Sequence, residues 1–272
     1  MHKKKFLKTI AVASGKVGVG KTTVAANLAI AMNRLGRKVM LMDPDLGLRK
    51  VAVLLHLPPK DHMQHLLNKG LSLKDNRGEG PEDIRVLSKG HRPREHTAFT
   101  ELQRLNLLDA LDGCTGDIDV LIIDTVSGIS ENIAFFCSAA QEIIIVTSPD
   151  HTSIADAAAL IKVLYHEYQE KQFHVLVNLT TNAEEAVDVF RRLSLATEPC
   201  PSISLDYLGY IPLDEAVTAA VQAQRTFVDL YPRCQASRGI IQLARTILKS
   251  RNKVKGTLQF CIRQLLTTGS TR

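Results

Sequence analysis

The stretch "GKVGVGKT", Gly15–Thr22, sets Gly, Lys and Thr at the spacing G-x-x-x-x-G-K-[ST], after the apolar run "KTIAVA" and before the Ala-rich run "TVAANLAIAM". Glycines at these places let backbone amides turn inward on one point, and a helix starting near Lys21 adds the positive partial charge of its N-terminus, so the pattern predicts a cradle for phosphates. Lys21 then neutralises the β/γ-phosphates and the Thr22 hydroxyl ligates Mg²⁺, which implies ATP and Mg²⁺ as ligands. Gly15, Lys16, Val17, Gly18, Val19, Gly20 and Thr23 complete the nucleotide-binding stretch. Two side chains exceed the pattern: a second lysine, Lys16, five positions before Lys21, and the branched Val17.

Outward from the loop, acids stand where an open α/β sheet puts its ligand crevice, at strand ends. "DVLIID" ends at Asp124, whose carboxylate suits the Mg²⁺ shell, although a strand-terminal Asp is as often a cap. "LMDPDLGL" supplies Asp43 and Asp45, spaced i and i+2 past a strand, and either is placed to orient an attacking water. The apolar runs "KTIAVA", "KVMLMD", "DIRVL", "DVLIID", "EIIIVTS", "FHVLVNL" and "DYLGYIP" read as strands. They alternate with helical patterns at 21–35, 98–111, 130–140, 152–169, 183–195, 213–223 and 234–249. Gly36 stops the first helix. The alternation predicts an α/β fold of the P-loop NTPase kind, a doubly wound, mostly parallel sheet with helices on both faces. Residues 72–97 are polar connections around one strand, and no internal repeat interrupts the chain.

With 272 residues and 45% apolar content the chain can bury a full core, expected as one domain over 1–250. Five scattered cysteines without a CxxC pair point away from a disulfide framework and toward a cytoplasmic setting. His62 and His65 share a helical spacing but have no third ligand nearby, so no metal site is expected there. No apolar run has the eighteen or so residues of a spanning helix. From Lys249 to Arg272 there are six basic residues and no acid, which matches the whole formal excess of +6 and points to a local anionic contact rather than a basic surface for specific nucleic acid. Residues 251–272 read as a basic linker and an amphipathic helix. Leu258, Cys261, Ile262, Leu265 and Leu266 form one apolar stripe, with Phe260 joining the membrane-facing set. The expected location is the cytoplasm, peripheral on the inner face of the cell membrane.

"SGKVGVGKTT", with its extra lysine, resembles the deviant phosphate loop of the MinD/ParA ATPases. "MLMDPDLGL", "DVLIIDTVSGIS", "EIIIVTSPDHTSIADAAALIK", "VLVNLTTNAEEAVDVFRRL", "LDYLGYIPLDEAV", "QAQRTFVDLYPRCQASR" and "KGTLQFCIRQLL" are similar, in order, to blocks of the FlhG/FleN regulators of flagellar number. The resemblance implies an ATP-driven homodimer in which Lys16 reaches the partner's nucleotide, Asp45 orients the hydrolytic water and Asp43 stands near the Mg²⁺ shell. It places Asn178 and Pro212 on the adenine side. It further implies residence on the anionic inner membrane and restraint of a flagellar transcription activator or assembly protein.

The sequence departs from the family at Val17, where Gly is usual, and at "RKVAVL" in place of an Asn-Val-Asp run. No extension of the kind that stimulates the partner GTPase FlhF precedes the first strand, so FlhF activation is not expected. Val17 is expected to crowd the attacking water or the partner's approach and leave the cradle intact. Three other readings share the motif: a nucleotide-gated module without hydrolysis, a DNA-partitioning ATPase, and an iron–sulfur carrier. Turnover, salt-sensitive DNA binding and cluster absorbance, respectively, tell them apart.

Overall fold

The runs "KTIAVA", "VMLM", "VLIID" and "EIIIVT" are buried at every position in the computed structural model, which describes residues 7–45, 50–58, 78–88, 99–112 and 117–250. Strands without a solvent side need cover on both faces, which a parallel sheet between two helix layers provides. The strands are β1 (Lys8–Ala13), β2 (Val39–Met42), β3 (Gly78–Glu79), β4 (Arg85–Leu87), β5 (Val120–Asp124), β6 (Glu142–Thr147), β7 (Gln172–Thr180) and β8 (Ser204–Pro212). They form one sheet in the order β3-β4-β2-β5-β1-β6-β7-β8. Every pairing is parallel except β3 with β4. The chain leaves β1 toward β2 on one side and later returns to β6 on the other. The crevice of such a sheet lies beyond the carboxyl ends of the strands at this reversal.

The helices are α1 (Lys21–Arg34), α2 (Lys50–Leu54), α3 (Glu101–Asp112), α4 (Glu131–Ala139), α5 (His151–Tyr168), α6 (Ala183–Thr197), α7 (Glu215–Gln222), α8 (Phe227–Leu230) and α9 (Gln235–Lys249). On one face α1, α2, α8 and α9 join Ile10, Leu41, Ile122 and Leu176 in a single apolar cluster. On the other, α3 and α4 cover β2 and β5, while α4, α5 and α6 cover β1, β6 and β7. The seven expected strands and seven expected helices are all present within a few residues. Short α2, β3 and α8 were not expected: five, two and four residues hold too few turns or alternations for a period to appear.

Helix α9 is fixed to the body at both ends. Near its start, a Cβ on Gly239 would stand 3.2 Å from the Tyr210 carbonyl oxygen, so the helix lies close against β8. At its end the buried Lys8 Nζ donates to Glu142 Oε1 at 2.8 Å, to the Ile247 carbonyl at 3.0 Å and to Ser250 Oγ at 2.7 Å. Lys8 and Glu142 open β1 and β6, so α9 runs back from the crevice end of the sheet to the opposite end. The expected linker and amphipathic helix over 251–272 lie outside the described residues, as do His62 and His65.

Candidate nucleotide site

Gly15 begins the turn after β1 because nothing larger fits: an added Cβ would stand 2.2 Å from the Asp156 backbone of α5. Gly18 and Gly20 take φ of +90° and +84°, conformations that side chains resist. Gly20 also lies under Asn178, whose Nδ2 would be 2.3 Å from an added Cβ and donates to the Val19 carbonyl at 2.8 Å. Asn178 therefore holds the loop from beneath. In register, Asn178 faces Ile211 and Thr180 faces Pro212, so the two residues expected beside adenine end neighbouring strands.

Helix α1 starts at Lys21 with no side-chain cap and no acid in its first turn, which leaves its first amides for an anion. Lys21 is buried, and its Nζ lies 2.5 Å from Asp124 Oδ1, also buried. Asp43, at the end of β2, accepts from the Asp45 amide at Oδ1 and from the Val51 amide at Oδ2, both at 3.1 Å. Burial first, and then the charge of Asp124, push the Asp43 carboxyl up to about 8 against those two hydrogen bonds. Lys21 thus faces Asp124 directly, while the environment of the second carboxyl, Asp43, favours its protonated form. Asp45 sits 3.8 Å from Lys50 Nζ with its side chain largely covered. Thr22 and Thr23, half-buried at the head of α1, line a cavity of about 450 Å³ with Lys50, Val53 and Val221. A hydroxyl and two carboxylates, Thr22, Asp43 and Asp124, make an all-oxygen donor set of the kind Mg²⁺ takes.

Lys16 is elsewhere. Its Nζ donates to Asp150 Oδ1 at 2.7 Å and to Thr152 Oγ1 at 2.5 Å, at the start of α5. Asp150 also caps α5 through the Ser153 amide. The Lys16 hydrogen bond, with Thr152 behind it, holds the Asp150 carboxyl well below the usual carboxylate range. Sequence reasoning did not single out Asp150, since an Asp before a helix reads as a cap and nothing local shows that Lys16 reaches it. Val17 is 70% exposed and is not among the residues with positive φ, so its side chain is no wall of the cradle. The segment after β5 lies along the loop: Gly128 N donates to the Ser14 carbonyl at 2.9 Å, and Ser14 and Ser127 hydroxyls meet at 3.1 Å. Ile129, on that segment, is 52% exposed.

The geometry joins Gly15, Gly18–Thr23, Asp43, Asp45, Asp124 and Asn178 around one crevice, with Lys16 and Val17 outside it and Pro212 at the end of the neighbouring strand. Leu258, Phe260, Cys261, Ile262, Leu265 and Leu266 lie outside the described residues. Among the described residues no cluster of three or more His, Cys, Asp or Glu is placed to hold a metal by itself, and no helix is long and apolar enough to cross a membrane.

A family model described as ParA, NUBPL iron-transfer P-loop NTPase, matches residues 5–248. The chain is 36% identical over 267 residues to the antiactivator FleN of Pseudomonas aeruginosa, covering 97% of this chain and 95% of that protein. It is 30% identical to the septum site-determining protein MinD of Bacillus subtilis over 88% of each. The flagellum site-determining protein YlxH of Helicobacter pylori matches at 26% over 87% of this chain and 80% of that one. Among solved structures, MinD of Pyrococcus horikoshii with Mg-ADP superposes with a TM-score of 0.73 at 23% identity, over 90% of this chain and 97% of that one. By sequence, over nearly its whole length, the chain belongs to the ParA/MinD family of P-loop NTPases.

Proposed function

We propose that this chain is a slow ATP-hydrolysing dimerisation switch of the FlhG/FleN type, which sets flagellar number and placement from the inner face of the cell membrane. The observation that carries the reading is the division of the two loop lysines: Lys21 is buried on Asp124, while Lys16 stands at the surface on Asp150 and Thr152. A lysine needed only for its own nucleotide has no reason to be outside the cradle. When phosphates enter, Lys21 would exchange its carboxylate for them and free Asp124, Asp43 would give its proton to solvent, and the two carboxylates with Thr22 would hold the Mg²⁺ shell. Bound Mg²⁺ supplies charge neutralisation across the phosphate oxygens. Lys16 leaves Asp150 and reaches the partner's nucleotide, and Asp45 orients the water. The extent of the likeness to an antiactivator supports a flagellar transcription activator or assembly protein as the regulated partner.

The test is a sizing and turnover experiment with ATP and Mg²⁺ on three variants. Lys21→Ala loses nucleotide binding, Lys16→Ala binds ATP and stays monomeric, and Asp45→Ala binds ATP and accumulates dimer without turnover. A dimeric Lys16→Ala, or an Asp45→Ala that turns over normally, contradicts the assignment. For the membrane, Leu265→Glu abolishes ATP-dependent sedimentation with anionic vesicles while ATP binding persists; equal pelleting removes the tail from the mechanism.

A further inference from the structure

Helix α9 has no acidic residue in fifteen, and Arg238, Arg245 and Lys249 fall at i, i+7 and i+11, almost in line along it. All three are exposed, and among the described residues none has an acidic partner. Elsewhere on the body several exposed cations are paired, and those without an ion pair among the described residues, Lys38, Lys171 and Arg233, fall on three separate loops rather than in a row. Arg191 and Arg192 meet Asp188 on α6, and Arg34 and Arg225 share Asp229 of α8. The contrast is sharper against the charge of the body. Residues 251–272 carry five cations and residues 1–6 carry three lysines, so the formal +6 of the chain leaves 7–250 at net −2. A row of three unpaired cations on a slightly acidic body is a local feature, not a share of a general basic surface.

The row also has a fixed direction. The opposite side of α9, with Ala236, Ile240, Leu243, Ala244 and Ile247, is buried. Close packing of Gly239 on β8 and the Lys8 bonds to Ile247 and Ser250 prevent the helix from rolling. The cations therefore lie along a rigid edge about 16 Å long, from the crevice end of the sheet to the end where residue 250 leads into Arg251, Lys253 and Lys255.

We infer that the α9 row is a second anionic-lipid contact, which lays the body lengthwise on the membrane surface with its strands roughly in the plane. This rests on the proposed membrane association and adds to it: the tail holds the protein on the bilayer, and the row sets its orientation there. Lipid headgroups are favoured over nucleic acid because the row leads directly into a segment whose sequence combines cations with an apolar stripe, which suits a bilayer interface and has no use on a duplex.

The experiment uses the full chain with ATP and Mg²⁺, vesicles of phosphatidylglycerol and phosphatidylcholine, vesicles of phosphatidylcholine alone, and a duplex DNA. The triple variant Arg238→Gln, Arg245→Gln, Lys249→Gln keeps its melting temperature, nucleotide affinity and turnover, since all three side chains are exposed and none belongs to the nucleotide site. Its affinity for anionic vesicles falls about a hundredfold at low salt, and the deficit shrinks as salt rises. Restoring charge as Lys at 238 and 245, with Lys249 native, restores binding. Wild-type pelleting that the triple variant matches overturns the row as a lipid contact while leaving the tail intact. Loss of duplex binding with vesicle binding unchanged assigns the row to nucleic acid and also overturns it. A wild-type protein that pellets with neither vesicle overturns the row together with the membrane reading beneath it.

Discussion

Lys16 and Asp150 are bonded within one chain, Nζ to Oδ1 at 2.7 Å, although both side chains are partly open to solvent. A lysine that serves a partner must first leave this carboxylate. Asp150→Asn keeps a capping oxygen for α5 and removes the charge. Exposed ion pairs are worth roughly 0.2–1 kcal/mol, and each protomer breaks one, so the ATP-dependent dimer should form at a protein concentration about 2- to 30-fold lower. Sedimentation velocity across a concentration series measures it. An unchanged or higher midpoint means that the pair does not restrain Lys16.

Val17 stands in solvent beside that lysine. Of its two expected effects, the exposure favours interference with an approaching partner over crowding of the attacking water. Val17→Gly should leave nucleotide affinity unchanged and raise turnover roughly tenfold or more at low protein concentration, with the gain vanishing once dimer is saturated. Turnover followed against protein concentration reads this directly. A gain that persists at saturation assigns the side chain to the water instead.

Burial and the neighbouring Asp124 push Asp43 up to about 8, so the ligand-free native state keeps a proton that the unfolded chain releases near the ordinary carboxylate value of 3.8. The folded-state value is raised for an acid, and stability without ligand should fall as pH rises from about 4 toward 8. Mg-nucleotide needs the carboxylate, so it should raise the melting temperature more at pH 8 than at pH 6. Melts with and without Mg-ADP at the two pH values decide it, and equal shifts would show that Asp43 is ionised in the empty site.

Glu142 has the opposite sign. Burial works against its charge, but hydrogen bonds from His174, Lys8 and Ser250 together outweigh it and lower the carboxyl from 4.5 to about 2. The stabilisation is present above about 4.5 and is lost as pH falls toward 2. It is on the order of 3 kcal/mol in full. Glu142→Gln should be less stable at neutral pH and should lose less on acidification. Denaturant midpoints at pH 7 and pH 3 test this, and parallel losses in both proteins would place the acid sensitivity elsewhere.

The loop, the strand-end acids and the layered sheet were legible because each is written locally. Gly15–Thr22 is a continuous pattern, Asp124 closes a run of buried branched residues, and strand and helix periods alternate cleanly through residue 249. Contacts between distant segments were not legible. Nothing near Asp150 announces Lys16, 134 positions away, and nothing near Asn178 shows that its amide supports Val19, 159 positions away. Val17 stands out in the sequence as an extra branched side chain, but only its exposure distinguishes the neighbour it would meet. The α9 row was visible as three letters, while its fixed direction depends on Gly239 and Lys8 packing from other parts of the chain.

Lys8 grips Ser250, so the second described residue of the chain and the last one share a corner of the molecule, across the sheet from the phosphate loop. A label placed beside Lys8 and one placed beside Ser250 would stand at the same doorway, and distances reported from the two would be nearly interchangeable. Joining residues near 7 and 250 by a short linker would give a closed ring on which new ends can be cut at an exposed turn. Such a permuted chain separates the tail from the body without disturbing the nucleotide crevice.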